Sequence, residues 1–211
     1  KVIFKLVNYD RNRELLKDVP HRRFLDLAIV YECFLGADSR GGATILIHDN
    51  HVELWGITAD ELHAVAFKNT PELMGGTFGS MEAVMLDIMD SGKVELDRIE
   101  KMLSREKRAK NSLPMFVLTN HYKLHGAGCI LYKNILKGIA EKWGCDFIIL
   151  PSNIHMVILV PDGVRRYDEL AQMVIDVNRT QVMPDEILSD NVYKFIRETG
   201  EIIMQGEKEY E

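Results

Sequence analysis

The chain has 211 residues, of which 46% are hydrophobic and 27% are charged, and its formal net charge is −6. This length and composition allow a full hydrophobic core and exclude an intrinsically disordered chain. The 32 acidic against 26 basic side chains argue against nucleic acid as a partner, and no apolar run approaches the roughly 20 residues that span a bilayer.

The first elements are predicted to be a helix followed by a hairpin. Residues 2–17 have a moderately amphipathic pattern that predicts a helix, and this helix ends before Pro20 because a proline disfavours helix in the residue before it. Residues 25–35 are mostly apolar and aromatic and predict a strand. Residues 43–47, which follow a turn-rich segment, are its predicted antiparallel partner.

Two helices are predicted after this hairpin, because residues that cap and stop helices follow it in order. The first helix runs to Trp55 and the second to about residue 69. The residues that define them are Asp49 or Asn50 as the first cap, Gly56 as its stop, and Thr58 with Glu61 as a capping box.

Residues 70–79 are predicted to be a loop that leads into two further helices. Ser80 caps the first of them, whose apolar residues repeat with helical spacing from Met81 to Met89 and predict a buried stripe. Residues 94–108 alternate acidic and basic side chains around a narrow apolar seam, which predicts an exposed helix in a peripheral insertion.

The second half of the chain contains its clearest patterns. Two continuously apolar runs on either side of a Pro-Ser-Asn turn are too short for helices and indicate buried strands. The predicted elements are a strand at 115–118, a helix at 132–143 that Gly144 ends, the two buried strands at 147–150 and 156–160, a helix at 167–177, and a hairpin formed by residues 192–196 and 201–204.

The strands come as hairpins and not as strand-helix-strand crossovers. This favours an α+β fold with an antiparallel or mixed sheet and packed amphipathic helices. Residues 2–69 and 132–177 share a predicted order of helix, strand, strand, helix, which indicates a two-lobe pseudo-repeat. The predicted units are an N-terminal α+β lobe at residues 1–90, a charged helical linker or insertion at 91–112, a C-terminal α+β lobe at 113–205 and an acidic tail at 206–211.

Three cysteines, Cys33, Cys129 and Cys145, lie in or beside apolar runs and not at metal-ligand spacing. They predict buried free thiols and therefore a reducing cytoplasm. The chain begins at Lys1 with neither an initiator Met nor a signal-peptide pattern, so we expect a fragment of a longer protein. The glycines in residues 126–129 lack the GK[ST] of a phosphate loop, and no cofactor is predicted.

The densest polar cluster consists of His48, Asp49 and His51, where a strand gives way to a helix. Imidazole and carboxylate groups this close in sequence can converge on a metal ion, so these residues are the candidate metal ligands. The alternative is a polar turn in which Asp49 or Asn50 caps the helix. His121 and His125 also have the spacing of a helical metal pair, but the glycines after them favour a loop.

Two further groups of polar residues are candidates for ligand binding. The first is Asn120, His121 and Tyr122, which directly follow a strand, and strand ends commonly present binding side chains on a rigid scaffold. The second is Ser152 and His155, at the turn between the two buried strands. The alternative for this pair is turn chemistry alone, since no GxSxG elbow surrounds the serine.

A thiol mechanism would pair Cys129 as nucleophile with His121 or His125 as base. Such a thiol has to be exposed and to have a lowered pKa. The neighbouring Ile130 and Leu131 predict burial instead.

Three segments carry a resemblance to a known family: residues 15–31 (LLKDVPHRRFLDLAIVY), residues 51–73 (HVELWGITADELHAVAFKNTPEL), and residues 145–162 (CDFIILPSNIHMVILVPD) with 187–202 (ILSDNVYKFIRETGEI). They resemble a family of uncharacterised bacterial proteins, mostly from Gram-positive anaerobes, that is defined as a domain of unknown function. The resemblance is weakest at residues 91–112. It implies a bacterial cytosolic protein that is usually longer at its amino end, and it brings no catalytic residues with it.

The function that the sequence favours is a non-enzymatic cytosolic binding or interaction domain, with a protein or a small molecule as partner. The reason is that each candidate catalytic residue has an explanation as a turn, a cap or a core position. The alternative is a small metal- or thiol-dependent hydrolase that uses His48, Asp49 and His51, or Cys129 with His121.

Overall fold

The N-terminal sheet is organised around one long strand. The structure is a computed structural model that describes residues 1–38, 41–83 and 113–205. In it, strand β3 (Leu27–Asp38) pairs along one edge with β1 (Val2–Asn8) and along the other edge with β2 (His21–Phe24) and then β4 (Gly41–Leu46). All three pairings are antiparallel. Together they give every part of β3 a neighbouring strand.

The C-terminal sheet has six antiparallel strands among the described residues, in the order β10-β9-β7-β8-β6-β5. The two apolar runs of the central hairpin lie near its middle, where neighbours on both sides satisfy their backbone groups. The strands are β5 (Thr77–Ser80), β6 (Phe116–Thr119), β7 (Phe147–Asn153), β8 (Met156–Pro161), β9 (Val192–Phe195) and β10 (Ile202–Gln205).

Four α-helices have both ends within the described residues, together with three short 3-10 helices. Within the described residues, no helix has both the length and the apolar content to cross a membrane. The α-helices are α1 (Asp49–Trp55), α2 (Ala59–Met74), α3 (Ile135–Trp143) and α4 (Tyr167–Thr180), and the 3-10 helices are Asp10–Asn12, Leu15–Lys17 and Gly126–Leu131.

The prediction of a helix at residues 2–17 is wrong, because this segment forms β1 and the first two 3-10 helices. Val2, Ile3 and Val7 are β-branched and favour strand, and β1 is largely buried on both faces, which removes the alternation that identifies a half-exposed strand. Since residues 2–69 therefore begin with a strand, they do not share the element order of residues 132–177, and the predicted pseudo-repeat is not present.

Most other predicted elements are confirmed, with shifted ends. The β3–β4, β7–β8 and β9–β10 hairpins are antiparallel as predicted, and the α+β class follows from them. Helix α2 keeps its Thr58–Glu61 capping box but runs on to Met74, and Thr77–Ser80 is a strand, so residues 70–79 are not a loop. Ser80 Oγ accepts a hydrogen bond from Ala83 N as a cap would. The rest of the predicted buried stripe and the charged helix lie outside the described residues.

One hydrophobic core joins the two sheets. Phe4 of β1 stacks on Phe67 of α2 with ring centroids 4.5 Å apart, and its edge meets Tyr132. The same cluster includes Phe147 and Phe195 of the C-terminal sheet, which stack at 4.9 Å. Strand β5 also belongs to that sheet although it precedes residue 90. The predicted division into lobes stays a prediction, since its boundary lies outside the described residues.

A buried polar contact between the sheets is centred on Asp26, in the turn between β2 and β3. Its Oδ1 accepts a hydrogen bond from Tyr193 at 2.7 Å, and its Oδ2 accepts one from Ser189 at 2.6 Å and one from Asn191 at 2.9 Å. Asn8 adds a further link, because its side-chain amide donates to Leu188 O at 2.9 Å. These bonds fix the residue 188–193 segment to the N-terminal sheet.

We expect Asp26→Ala to lower the free energy of unfolding by about 3 kcal/mol, because it leaves the buried hydroxyls of Ser189 and Tyr193 without their acceptor. Tyr193→Phe removes one of these bonds and should cost about 1.5 kcal/mol. Urea denaturation measures both. Asp10→Ala is the control, since the exposed carboxylate of Asp10 bonds only to Arg13 among the described residues. This substitution should change the free energy of unfolding by less than about 1 kcal/mol. Equal effects of D26A and D10A would contradict the prediction.

Candidate functional site

The loop that follows β6 is organised by the buried side chain of Asn120. Its Oδ1 accepts hydrogen bonds from the backbone of Tyr122 at 3.1 Å and Leu124 at 3.2 Å, and its Nδ2 donates to Leu124 O at 2.6 Å. His125 follows in a left-handed conformation, with φ of 53°. The loop therefore has a fixed shape, and His125 has a fixed position at its end.

Gly126 allows this loop to lie directly against the turn between β7 and β8. A Cβ at this position would overlap Thr119 Oγ1 and would lie 2.5 Å from the backbone oxygen of His155. No side chain fits there, so the close approach requires glycine. The 3-10 helix Gly126–Leu131 then enters the core, with its first five residues buried.

The turn itself presents His155 to the loop. Asn153 Oδ1 accepts hydrogen bonds from the backbone of His155 at 2.8 Å and Met156 at 3.1 Å, and Thr119 Oγ1 donates to His155 O at 2.7 Å. The backbone N–H of His125 donates to His155 Nδ1 at 3.2 Å, and the two imidazole rings stack with centroids 5.6 Å apart. The structure thus brings together two polar segments that the sequence predicted separately.

A buried carboxylate lies against the first of these imidazoles. The side chain of Glu32 in β3 is only 3% exposed, and its Oε1 lies 2.6 Å from Lys5 Nζ of β1. Its Oε2 lies 2.9 Å from His125 Nδ1. In the part of the chain that the structure describes, Glu32 Oε2 and His125 Nδ1 have no hydrogen-bond partner. The ion-pair contact between them is therefore the polar contact that each of them has.

The two basic neighbours determine the charge of Glu32. Burial raises the pKa of this carboxyl, but the close contact and charge of His125, together with the contact and charge of Lys5, outweigh burial and lower the pKa to about 2. Glu32 is therefore ionised at neutral pH inside the core. An ionised buried group is tolerated only when it is paired in this way.

The second imidazole connects this buried pair to the surface. Because His155 Nδ1 accepts a hydrogen bond from His125, the neutral ring carries its proton on Nε2, which lies 3.5 Å from Glu186 Oε1. Burial lowers the pKa of His155 and the charge of His125 lowers it further, whereas Glu186 raises it. Side-chain exposure rises from 3% at Glu32 to 38% at Glu186. We call Lys5, Glu32, His125, His155 and Glu186 the histidine cluster.

The remaining predicted ligand-binding residues lie around this cluster in different ways. His121 is exposed and its ring packs against Gly75, where a Cβ would overlap it. Tyr122 is exposed and its ring contacts Phe34 at 5.5 Å. Ser152 lies in β7. Of the predicted residues, Asn120 shapes the site and His155 belongs to it.

The candidate metal residues lie at the start of α1, where a capping interaction connects them. The backbone N–H of His48 donates to His51 Nδ1 at 3.0 Å, and the His51 ring stacks on Trp55 at 5.9 Å. The backbone N–H of Asp49 donates to Asp18 O. Over the described ranges, no group of three or more potential ligand side chains is arranged to hold a metal ion.

Cys129 is not available as a nucleophile. Its side chain is fully buried, and its Sγ donates to Thr119 O at 3.1 Å. Burial raises the pKa of this thiol to about 12. Since the thiolate is the reactive form, a thiol that stays protonated at neutral pH cannot begin a nucleophilic reaction.

Sequence reasoning missed Lys5, Glu32 and Glu186 as site residues. The first two carried a signal, because each is a charged residue inside an otherwise apolar run, VIFKLVN and LAIVYECFL. A charge in a buried strand needs a partner and so points to a polar site. Glu186 lies in the segment between α4 and β9 and carried no comparable signal.

We expect Glu32→Gln to lower the free energy of unfolding by about 3 kcal/mol at pH 7, because it leaves the partly buried Lys5 without its counter-charge and removes the carboxylate that faces His125. The pKa of Glu32 falls on folding from 4.5 to about 2. The contribution of ionised Glu32 to the free energy of unfolding is therefore fully present above pH 4.5 and is lost as the pH falls to about 2. Urea denaturation at several pH values measures the difference in free energy of unfolding between E32Q and the original protein. This difference should become smaller as the pH falls from 4.5 to about 2.

The control for this variant is Glu141→Gln, at an exposed glutamate on α3. It should leave stability within about 0.5 kcal/mol of the original protein at every pH. A stability difference for E32Q that does not change between pH 5 and about pH 2 would contradict the assignment of Glu32 as an ionised group.

NMR titration should find the pKa of His155 below the ordinary 6.5, since burial and His125 both oppose its charge. Glu186→Gln should lower this pKa further, because the carboxylate is the group that favours the charged ring. Glu141→Gln again serves as the control and should not change it. A pKa of His155 at or above 6.5, or one that E186Q leaves unchanged, would contradict the described contact.

Comparisons with known proteins give one match. The model of a family of unknown function, DUF5688, matches residues 1–197. No curated protein and no solved structure matches the chain. This confirms the predicted resemblance to a family of unknown function, while the predicted bacterial origin stays a prediction. Because the match covers residues 1–197 of 211, the chain belongs to the DUF5688 family.

Proposed function

We propose that this chain is a non-enzymatic binding domain that takes a small polar ligand at the histidine cluster. The observation that carries the proposal is the pair of stacked imidazoles, one held by the buried Glu32 and the other in contact with Glu186 near the surface. A buried ion pair contributes little to stability compared with apolar packing of the same volume. Such groups are therefore often present for function, and here they keep two rings in one orientation.

The contacts within the cluster indicate the chemistry of the ligand. Lys5 and Glu32 neutralise each other, so neither offers a free charge. His125 Nδ1 lies 2.9 Å from Glu32 Oε2, and in the tautomer that carries its proton on Nδ1 the ring offers Nε2 as a hydrogen-bond acceptor. Glu186 adds a partly exposed carboxylate. The ligand best suited to these groups donates N–H or O–H hydrogen bonds, and a positive charge strengthens its binding.

Binding is favoured over catalysis by the contacts of the neighbouring nucleophilic groups. Thr119 Oγ1 donates to His155 O, and Cys129 Sγ donates to Thr119 O. Both groups are thereby used in holding the backbone. The free cysteines Cys33, Cys129 and Cys145 support a reducing compartment, so the proposal includes a cytoplasmic location.

One observation favours a second candidate function, a hydrolase that uses His125 as general base. A buried carboxylate next to Nδ1 of an imidazole is the arrangement that orients the catalytic histidine in many hydrolases. The nucleophile in this case would be a water molecule, since Cys129 remains protonated. This candidate predicts turnover, whereas the binding domain predicts none.

NMR titration of the full chain with methylammonium, ethanolammonium and agmatine tests the binding function. At least one of these cations should shift the ring signals of His125 and His155 saturably, because it donates hydrogen bonds to the acceptors of the cluster. Glu186→Gln should weaken this binding about two- to fivefold, the effect of losing one partly exposed charge. The exposed-site variant Glu141→Gln should bind as the original protein does.

Three results would contradict the binding proposal. The first is the absence of a saturable shift with all three cations, and the second is a shift that E186Q and E141Q affect equally. The third is hydrolysis of p-nitrophenyl acetate that is faster than with free imidazole at the same concentration and that His125→Ala abolishes. The third result would establish the hydrolase in place of the binding domain.

A further inference from the structure

A hydrogen bond whose acceptor can take up a proton joins the loop at residues 120–125 to the β7–β8 turn. The backbone N–H of His125 donates to His155 Nδ1 at 3.2 Å. Nδ1 accepts this bond only in the neutral ring that carries its proton on Nε2, because both nitrogens of an imidazolium ring carry hydrogen. Protonation of His155 therefore replaces the bond with two N–H groups that point at each other.

The charged His155 ring cannot restore this contact. An imidazolium has no acceptor atom in any orientation, and a ring that swings away from the loop gives up the bond as well. The backbone of His155 is held in place, since its N–H donates to Asn153 Oδ1 at 2.8 Å and its carbonyl oxygen accepts from Thr119 Oγ1 at 2.7 Å. The turn therefore keeps its position, and the contact that protonation breaks is the one between the ring and the loop.

The rest of the loop does not depend on His155. Asn120 bonds to the backbone of Tyr122 and Leu124, and the ring of Tyr122 contacts that of Phe34 in β3 at 5.5 Å. These contacts keep the loop folded and attached to the N-terminal sheet when the bond to His155 is lost. Protonation therefore opens the structure locally, between the loop and the turn, and leaves the two sheets in place.

The groups around the His155 ring determine the pH range of this change. Burial lowers the pKa of His155 below the ordinary 6.5, and the charges of His125 in the loop and Lys5 in β1 lower it further. Glu186, between α4 and β9, raises this pKa through its contact at 3.5 Å. Glu32 of β3 lies on the other side of His125, 2.9 Å from His125 Nδ1.

The sign of the pH dependence follows from where the proton binds more tightly. Opening exposes the ring of His155 and frees its Nδ1, so the pKa of this ring is higher in the open form than in the closed form. The closed form is therefore favoured above pH 6.5 and becomes less favoured as the pH falls from 6.5 towards the lowered pKa. Because one proton is taken up, the ratio of open to closed chains rises by at most about tenfold per pH unit.

We infer that the contact between His125 and His155 is a pH-sensitive latch, closed while the His155 ring is neutral and released when this ring takes up a proton. Release separates the two stacked imidazoles, so the histidine cluster has the described arrangement at neutral pH and loses it in mildly acidic conditions. The latch is a property of the ligand-free chain and does not depend on the ligand proposed for the cluster.

Amide hydrogen exchange of the full chain without ligand, followed by NMR from about pH 8 to about pH 5, tests the latch. The protection factor of the His125 amide, which corrects for the intrinsic pH dependence of exchange, should fall below pH 6.5 by at most about tenfold per pH unit. The amide of Ile149 should keep its protection, since β7 is paired on both sides there. The ring nitrogen shifts at about pH 8 should place the proton of His155 on Nε2.

His155→Asn separates the latch from general effects of pH. Asparagine places an oxygen where histidine has Nδ1, so it can accept the bond from His125 but does not titrate. The protection factor of the His125 amide in H155N should therefore change by less than about twofold over this pH range. The matched control is His121→Asn, which removes another imidazole from the same loop and should keep the pH dependence.

Glu186→Gln tests the latch with the His155 ring in place. Loss of this carboxylate lowers the pKa of His155, so the fall in protection should begin at a lower pH. The inference is overturned by equal protection of the His125 amide at about pH 8 and about pH 5, or by a fall that H155N retains or H121N abolishes. A fall that E186Q does not shift, or a His155 proton on Nδ1 at about pH 8, would overturn it as well.

Discussion

A carboxylate that is almost fully removed from water must be compensated where it lies, and Glu32 receives this compensation from two directions. Lys5 comes from the neighbouring strand β1, at 2.6 Å, and His125 comes from a loop more than 90 residues later, at 2.9 Å. Removing either partner would leave a charge in the core. The position of the loop at residues 120–125 therefore depends on the N-terminal sheet, although the loop follows a strand of the other sheet.

The backbone around this ion pair is held by short-range contacts. Asn120 fixes the loop, Gly126 permits its approach to the β7–β8 turn, and Asn153 fixes the turn. The segment at residues 182–190 completes the arrangement, because its Glu186 contacts His155. The Asp26 hydrogen bonds to Ser189 and Asn191 hold the C-terminal end of this segment.

The sequence predicted those elements whose signals are local. The apolar runs around residue 150, the capping box of Thr58 and Glu61 and the stop at Gly144 all depend on near neighbours, and all are found. Residues 2–17 were mispredicted because β1 is buried through pairing with a distant strand and packing on α2. Likewise Asn120 and His155 were predicted as separate candidates. Their convergence, and the role of Glu32, depends on contacts between segments that are 30 to 90 residues apart, which a single sequence does not reveal.

Strand β3 carries the core on one face and the ion pair on the other. Tyr31 faces the main core and Glu32 the opposite side, and the neighbouring strands hold this register from Leu27 to Phe34, before the irregularity between Phe34 and Gly36. An insertion or deletion of one residue between Leu27 and Glu32 would exchange the two faces. The carboxylate of Glu32 would then lie in the hydrophobic core, and the phenol of Tyr31 would face Lys5. Length variation in this part of the chain should therefore be confined to turns, and the spacing from Leu27 to Glu32 should be invariant among functional relatives.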